Sequence, residues 1–175
     1  MKKTITVFGS SRPKENEDEF NFAYKLGALL AKNGFNVCTG GYQGIMNAVS
    51  KGANENGAEV TGITVNGWGA VPSKYLTKEI KCDSLYERIQ KLISTGDAYV
   101  ILQGGTGTLL ELSFVWELMN KKLVPIKPIA AHSPMWKIIT EIIDKQLFLE
   151  KRQTGLVQNF ETAEEIVEFL EMKLK

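Results

Sequence analysis

Residues 98–120, AYVILQGGTGTLLELSFVWELMN, hold the pattern that decides the fold. AYVILQ (98–103) is apolar and rich in β-branched and aromatic residues, as a buried strand requires. Three glycines and two threonines follow at 104–108. From 108 to 121 the apolar residues return with helical spacing. A strand that runs through a glycine turn directly into a helix is half of a βαβ unit.

The alternation continues in both directions. Upstream, strands are expected at 4–9, 35–41, 59–65 and 77–82, with helices at 19–33, 44–55 and 84–94. Gly34 and Gly57 stand where C′ glycines stop helices. Residues 66–77, punctuated by Gly67, Trp68, Gly69 and Pro72, read as a loop. Downstream, strands at 127–132 and 156–160 flank a helix at 135–147. A final helix starts on Thr162 and Glu165, spaced as a capping box. Strands alternating with helices predict a parallel sheet covered on both faces, in one α/β domain spanning 1–175.

The 175 residues suffice for one full core. A composition 43% apolar and 23% charged is that of a globular protein. A net charge of +1 gives no electrostatic case for a nucleic-acid polymer or a membrane surface as partner. No apolar run approaches 18 residues, and MKKTITVFGS is a start plus a strand rather than a signal segment, so the expected location is cytoplasmic. Cys38 and Cys82 are isolated and read as reduced core thiols. The single histidine, His132, argues against a zinc site and a Ser-His-Asp triad, and is expected to be structural.

In a parallel sheet, ligands bind beyond the carboxyl ends of the strands. Three glycine-bearing loops fall there: GSSRP (9–13), GGYQG (40–44) and GGTGT (104–108). A Gly/Thr-rich loop entering a helix presents unpaired N–H donors and positive dipole to an anion, phosphate above all. The spacing matches neither a P-loop nor a dinucleotide fingerprint, so a monophosphate fits best. On a helical wheel Glu111 projects from an apolar flank, between Leu118 and Val115, opposite Ser113, Glu117 and Asn120. A carboxylate so placed needs a partner or a purpose. Thr108 and Glu111 also have capping-box spacing, which alone would explain both. Arg88, at the edge of the apolar stripe of helix 84–94, is the candidate counter-charge; the plainer reading has it snorkelling to water. The largely apolar helix 108–121 is expected to be buried, in part against a second subunit.

These segments resemble the Lonely Guy (LOG) family, cytokinin-activating phosphoribohydrolases often labelled lysine decarboxylases. GGTGTLLE resembles the family's PGGxGTxxE signature, and VFGSSRP its first-strand VxxGSS segment. GGYQGIMNAVSKGA resembles GGGxxGLMGxVxxxA, and LYERIQKLI the MHERKxxM helix. The resemblance covers residues 4 to about 150.

It implies a Rossmann-like three-layer α/β/α sandwich with a mainly parallel sheet, assembled as a homodimer or homotetramer. It also implies hydrolysis of the N-glycosidic bond of a nucleoside 5′-monophosphate, of the AMP or N6-modified AMP type, without metal or cofactor. The implied catalytic residues are Arg88 and Glu111. The implied phosphate- and substrate-binding residues are Gly9, Ser10, Gly41, Gly44, Met46, Gly104, Gly105, Thr106, Gly107 and Thr108. The sequence departs from the family where the signature proline is Gln103, where HERK reads YERI, where GGG is TGGY, and at Leu110 in place of an acid. The alternative is a protein of the same superfamily that binds a nucleotide or molybdenum cofactor without hydrolysis. Pyridoxal chemistry needs a desolvated lysine, and Lys51, Lys91 and Lys121 lie in polar helical settings. Trp68, in the 66–77 loop, either stacks on a purine or covers a core edge.

Overall fold

The computed structural model describes residues 2–174. The chain runs β1 (Thr4–Phe8), α1 (Asp18–Lys32), β2 (Asn36–Thr39), α2 (Ile45–Glu55), β3 (Val60–Val65) and β4 (Lys78–Cys82). It continues through α3 (Leu85–Thr95), β5 (Ala98–Ile101), α4 (Thr106–Asn120), β6 (Ile129–Ala131), α5 (Pro134–Leu149), β7 (Val157–Asn159) and α6 (Ala163–Leu174). The strands form one sheet in the order β4-β3-β2-β1-β5-β6-β7. Every neighbouring pair is parallel.

Side chains alternate across each strand, and the alternation divides the core into two. Val100 and Leu102 join Ile5, Val7 and Val37 on the face covered by α1, α2 and α6. Tyr99 and Ile101 join Phe8, Cys38 and Ile63 on the face covered by α3, α4 and α5. The result is a Rossmann-like three-layer α/β/α sandwich. Cys38 and Cys82 are buried free thiols. The His132 ring stacks on Phe22 at 3.8 Å, and its Nδ1 lies 3.0 Å from the Phe160 carbonyl, as a structural histidine would.

Local chemistry sets the helix ends. Gly34 (φ +84°) and Gly57 (φ +79°) follow the ends of α1 and α2 in the left-handed conformation open to glycine. The Thr162–Glu165 capping box closes with bonds of 3.2 and 3.0 Å. The alternative capping box at Thr108 and Glu111 does not form. α4 starts two residues earlier, at Thr106, and its N-cap is Gly105. The cause lies in the preceding strand: β5 ends at Ile101, and the Gln103 carbonyl turns to accept Ser10 N–H at 2.9 Å, so the turn closes sooner.

Not all of the apolar surface is covered. On α5, Met135, Ile138 and Ile142 recur at helical spacing and are 41–59% exposed. On α4, Leu109 and Leu110 are exposed, while Leu112, Val115, Trp116 and Met119 enter the core. Among the described residues no helix is long and apolar enough to cross a membrane.

Candidate active site

The strand order reverses between β1 and β5, because the chain lays β2, β3 and β4 to one side and returns to pair β5 with β1. That reversal opens a crevice at the carboxyl ends of the strands. The loops leaving β1, β2 and β5 meet there and are tied by backbone bonds. Ser10 N–H reaches the Gln103 carbonyl, and Ile45 N–H reaches the Ser10 carbonyl at 2.8 Å. Glycine permits this closeness. A Cβ on Gly44 (φ +68°) would strike the backbone of Ser10 and Ser11; one on Gly9 would strike Ile45, and one on Gly41 Thr64. These three glycines fasten the loops together rather than line an open space.

The cradle itself is the start of α4. Gly105 and Gly107 face open space, with nothing within 4 Å of where a Cβ would stand. No side chain caps the helix, and its first turn carries no acidic residue. The first N–H groups are therefore free to receive an anion at the positive end of the helix. Thr106 is exposed, whereas Thr108 is buried with its hydroxyl turned against Gly104. Ser10 flanks the same point. A cavity of about 620 Å³, bordered by Ser10, Arg12, Gln103, Gly104 and Ser133, adjoins the cradle.

Glu111 follows within the next turn of α4, and Arg88 of α3 faces it. Arg88 Nη1 lies 3.6 Å from Glu111 Oε1, with side chains only 7% and 12% exposed. Arg88 does not snorkel to water. Its Nε donates to the Ile63 carbonyl at 2.8 Å and its Nη2 to the Gly40 carbonyl at 3.2 Å. The ends of β2 and β3 therefore hold the guanidinium while one nitrogen remains for the carboxylate. Burial pushes the Glu111 carboxyl up to about 7, against the opposing pull of the Arg88 charge. A carboxyl poised near neutrality in a crevice is suited to proton transfer or charge stabilisation.

The structure groups Arg88, Glu111, Met46 and the 104–108 loop, with Met46 Sδ 4.0 Å from Arg88 Nη2. Sequence reasoning missed Gly40 and Tyr42. Gly40 matters through its carbonyl and because a Cβ there would collide with the Arg88 guanidinium; the glycine pair in TGGY was the available signal. The Tyr42 ring lies 5.7 Å from Arg88 Cζ. Trp68 stacks on the buried Tyr42 and lies 5.6 Å from Arg88 Cζ, with about half of its surface left open. Among the described residues no cluster of three or more His, Cys, Asp or Glu is placed to hold a metal ion. Lys51 is paired with Glu15 and Lys121 with Glu117, so neither is a desolvated amine.

The chain matches the model of the SLOG cluster4 family over residues 2–167, and it belongs to that family. A cytokinin riboside 5′-monophosphate phosphoribohydrolase of Mycobacterium tuberculosis is 30% identical over 125 residues, 65% of this chain and 62% of that protein. Another of that name, from Mycobacterium marinum, is 27% identical over 158 residues, 81% of this chain and 79% of that one. The match to a probable rice enzyme of this type spans only 46% of its length. Among solved structures, the molybdenum cofactor binding protein of Rippkaea orientalis superposes with a TM-score of 0.81 at 20% identity, covering 100% of this chain and 99% of that one. The molybdenum cofactor carrier protein of Chlamydomonas reinhardtii gives 0.79 at 21%, covering 99% of each. These last two likenesses are of fold.

Proposed function

We propose that this SLOG cluster4 protein hydrolyses the N-glycosidic bond of a nucleoside 5′-monophosphate, giving the free base and ribose 5-phosphate. One observation carries the reading: a buried Arg–Glu pair stands one turn beyond an uncapped, glycine-lined helix start. In this reading the 5′-phosphate takes the N–H groups at 105–108, with Thr106 and Thr108 hydroxyls beside it. The ribose then lies against Glu111. As the C1′–N bond breaks, its electron pair leaves with the base and positive charge grows on the sugar. The Glu111 carboxylate stabilises that charge and accepts a proton from the water that adds to C1′. That proton passes on to the departing base, which leaves Glu111 ionised again and completes the balance. Arg88, fixed by two backbone carbonyls, keeps Glu111 aimed and favours its ionised form. The names of the relatives support the same chemistry, with AMP or an N6-modified AMP as the substrate type. The exposed apolar stripe on α5 is the surface we assign to a homo-oligomeric contact.

The second reading, binding of a nucleotide or molybdenum cofactor without turnover, uses the cradle but has no use for a carboxyl poised near 7. Incubation with a panel of nucleoside 5′-monophosphates and the matching nucleosides, followed by chromatography, separates the two. Base released from the monophosphates and not from the nucleosides is the expected result. A folded protein that is thermally stabilised by AMP or a pterin yet releases no base overturns hydrolysis in favour of binding.

A further inference from the structure

We infer that Trp68 is the platform on which the base of the nucleotide stacks, an assignment that rests on the phosphoribohydrolase reading above. The phosphate cradle follows β5, the loops after β1 and β2 come next, and Trp68 follows β3. Three strand spacings separate β5 from β3, about 14 Å. That is the reach of an extended nucleoside monophosphate from its phosphorus to the far edge of a purine. The Arg88–Glu111 pair lies between the two ends, where the ribose falls.

The chemistry of the side chains agrees. The Tyr42 hydroxyl is committed to β3: it accepts from Val65 N–H at 2.7 Å and donates to the Val65 carbonyl at 3.3 Å. Tyr42 is thereby a fixed floor. Trp68 rests on that floor, with ring centroids 5.9 Å apart and planes at 17°, while 48% of its surface is open. It is flanked by Gly67 (φ +77°) and Gly69 (φ +65°), where even an added Cβ would meet nothing within 4 Å, so the backbone on either side of the ring is uncrowded. An exposed indole beside a fixed guanidinium, three strand spacings from the cradle, is a surface for a planar nitrogen heterocycle. It contributes binding without sequence-like selectivity, since every base has a π face.

Two readouts test this. Trp116 and Trp136 are buried, so Trp68 is the tryptophan that a bound base would quench. AMP should quench the fluorescence of the wild-type protein, and ribose 5-phosphate, which lacks a base, should not. In Trp68→Ala the quench should vanish and the KM for AMP should rise about tenfold with kcat little changed, from the loss of one stacked base. Inhibition by ribose 5-phosphate should stay as in wild type, and Trp68→Phe should recover most of the affinity. A Trp68→Ala protein that cleaves AMP with unchanged KM overturns the stacking while leaving the reaction standing. A fall in kcat alone also overturns it and makes Trp68 a cover for Arg88. A wild-type protein that neither binds nor cleaves AMP overturns the reaction and the stacking together.

Discussion

Helix α4 carries two glutamates, each facing an arginine from elsewhere in the chain. Glu117 meets Arg152 at 2.8 Å, with side chains 49% and 29% exposed. Glu111 meets Arg88 at the longer distance of 3.6 Å, yet both side chains are nearly enclosed. The shorter bridge is the less consequential one. Around Glu117, water screens the charges and would replace either partner at little cost. Around Glu111, little water can enter, so the carboxyl moves far from its ordinary range and each partner depends on the other. Depth rather than distance separates a chemical site from a surface contact.

The sharpest way to break this contrast is to truncate the buried pair. Glu111→Ala should lower turnover of a nucleoside 5′-monophosphate at least about a hundredfold. Arg88→Ala should do the same and also destabilise the fold by about 3–5 kcal/mol, since it leaves the buried Glu111 carboxyl and two carbonyls without their partner. Denaturant unfolding and base release measured on the same preparations check both. Turnover that survives Glu111→Ala would remove the difference between the two glutamates.

A smaller effect is expected at the cradle. Gly104→Ala pushes against the Thr108 hydroxyl and should weaken the phosphate end by about tenfold in kcat/KM, about the worth of one charge-assisted hydrogen bond. Inorganic phosphate should lose inhibitory strength in parallel. An alanine variant as active as wild type would mean that the anion lies elsewhere.

Titration sharpens the comparison further. With Glu111 up to about 7, kcat/KM should rise with pH along an acid limb near that value, because the carboxylate is the working form. Stability has the opposite sign. The folded protein keeps a proton that the unfolded chain releases from about 4.5 upward, so stability should fall as pH rises from 4.5 to about 7. In Glu111→Gln the thermal midpoint should lose that slope. The smallest effect belongs to the other pair: Arg152→Ala should leave turnover as in wild type and barely move the midpoint. An Arg152→Ala protein as impaired as Arg88→Ala would show that exposure does not govern these bridges.

Much of the molecule was legible from local pattern. Periodicity located every strand and helix within a few residues, because strand and helix periods and the C′ glycines Gly34 and Gly57 are properties of neighbouring residues. The anomaly at Glu111 was legible for the same reason, since a wheel shows a lone carboxylate among leucines. The burial of Arg88 was not. A wheel places it at the margin of a stripe, and what encloses it are the carbonyls of Gly40 and Ile63, 48 and 25 residues away. The Thr108–Glu111 spacing left a capping box open as the plainer alternative, and what removes it is a turn that closes on Ser10, in the loop after the neighbouring strand β1. That α4 is apolar on most of its surface was legible, but which leucines stay open, Leu109 and Leu110, was not, because periodicity separates apolar from polar flanks and not covered from uncovered ones.

The way Arg88 is held bears on how such a site can diverge. Its two anchors are main-chain oxygens, which every amino acid supplies. Position 63 can therefore change its side chain and still present the acceptor. Position 40 has no such licence, since any side chain would occupy the guanidinium's place. The arginine is thus moored at one end to something mutation cannot remove, and at the other to a glycine that mutation cannot replace.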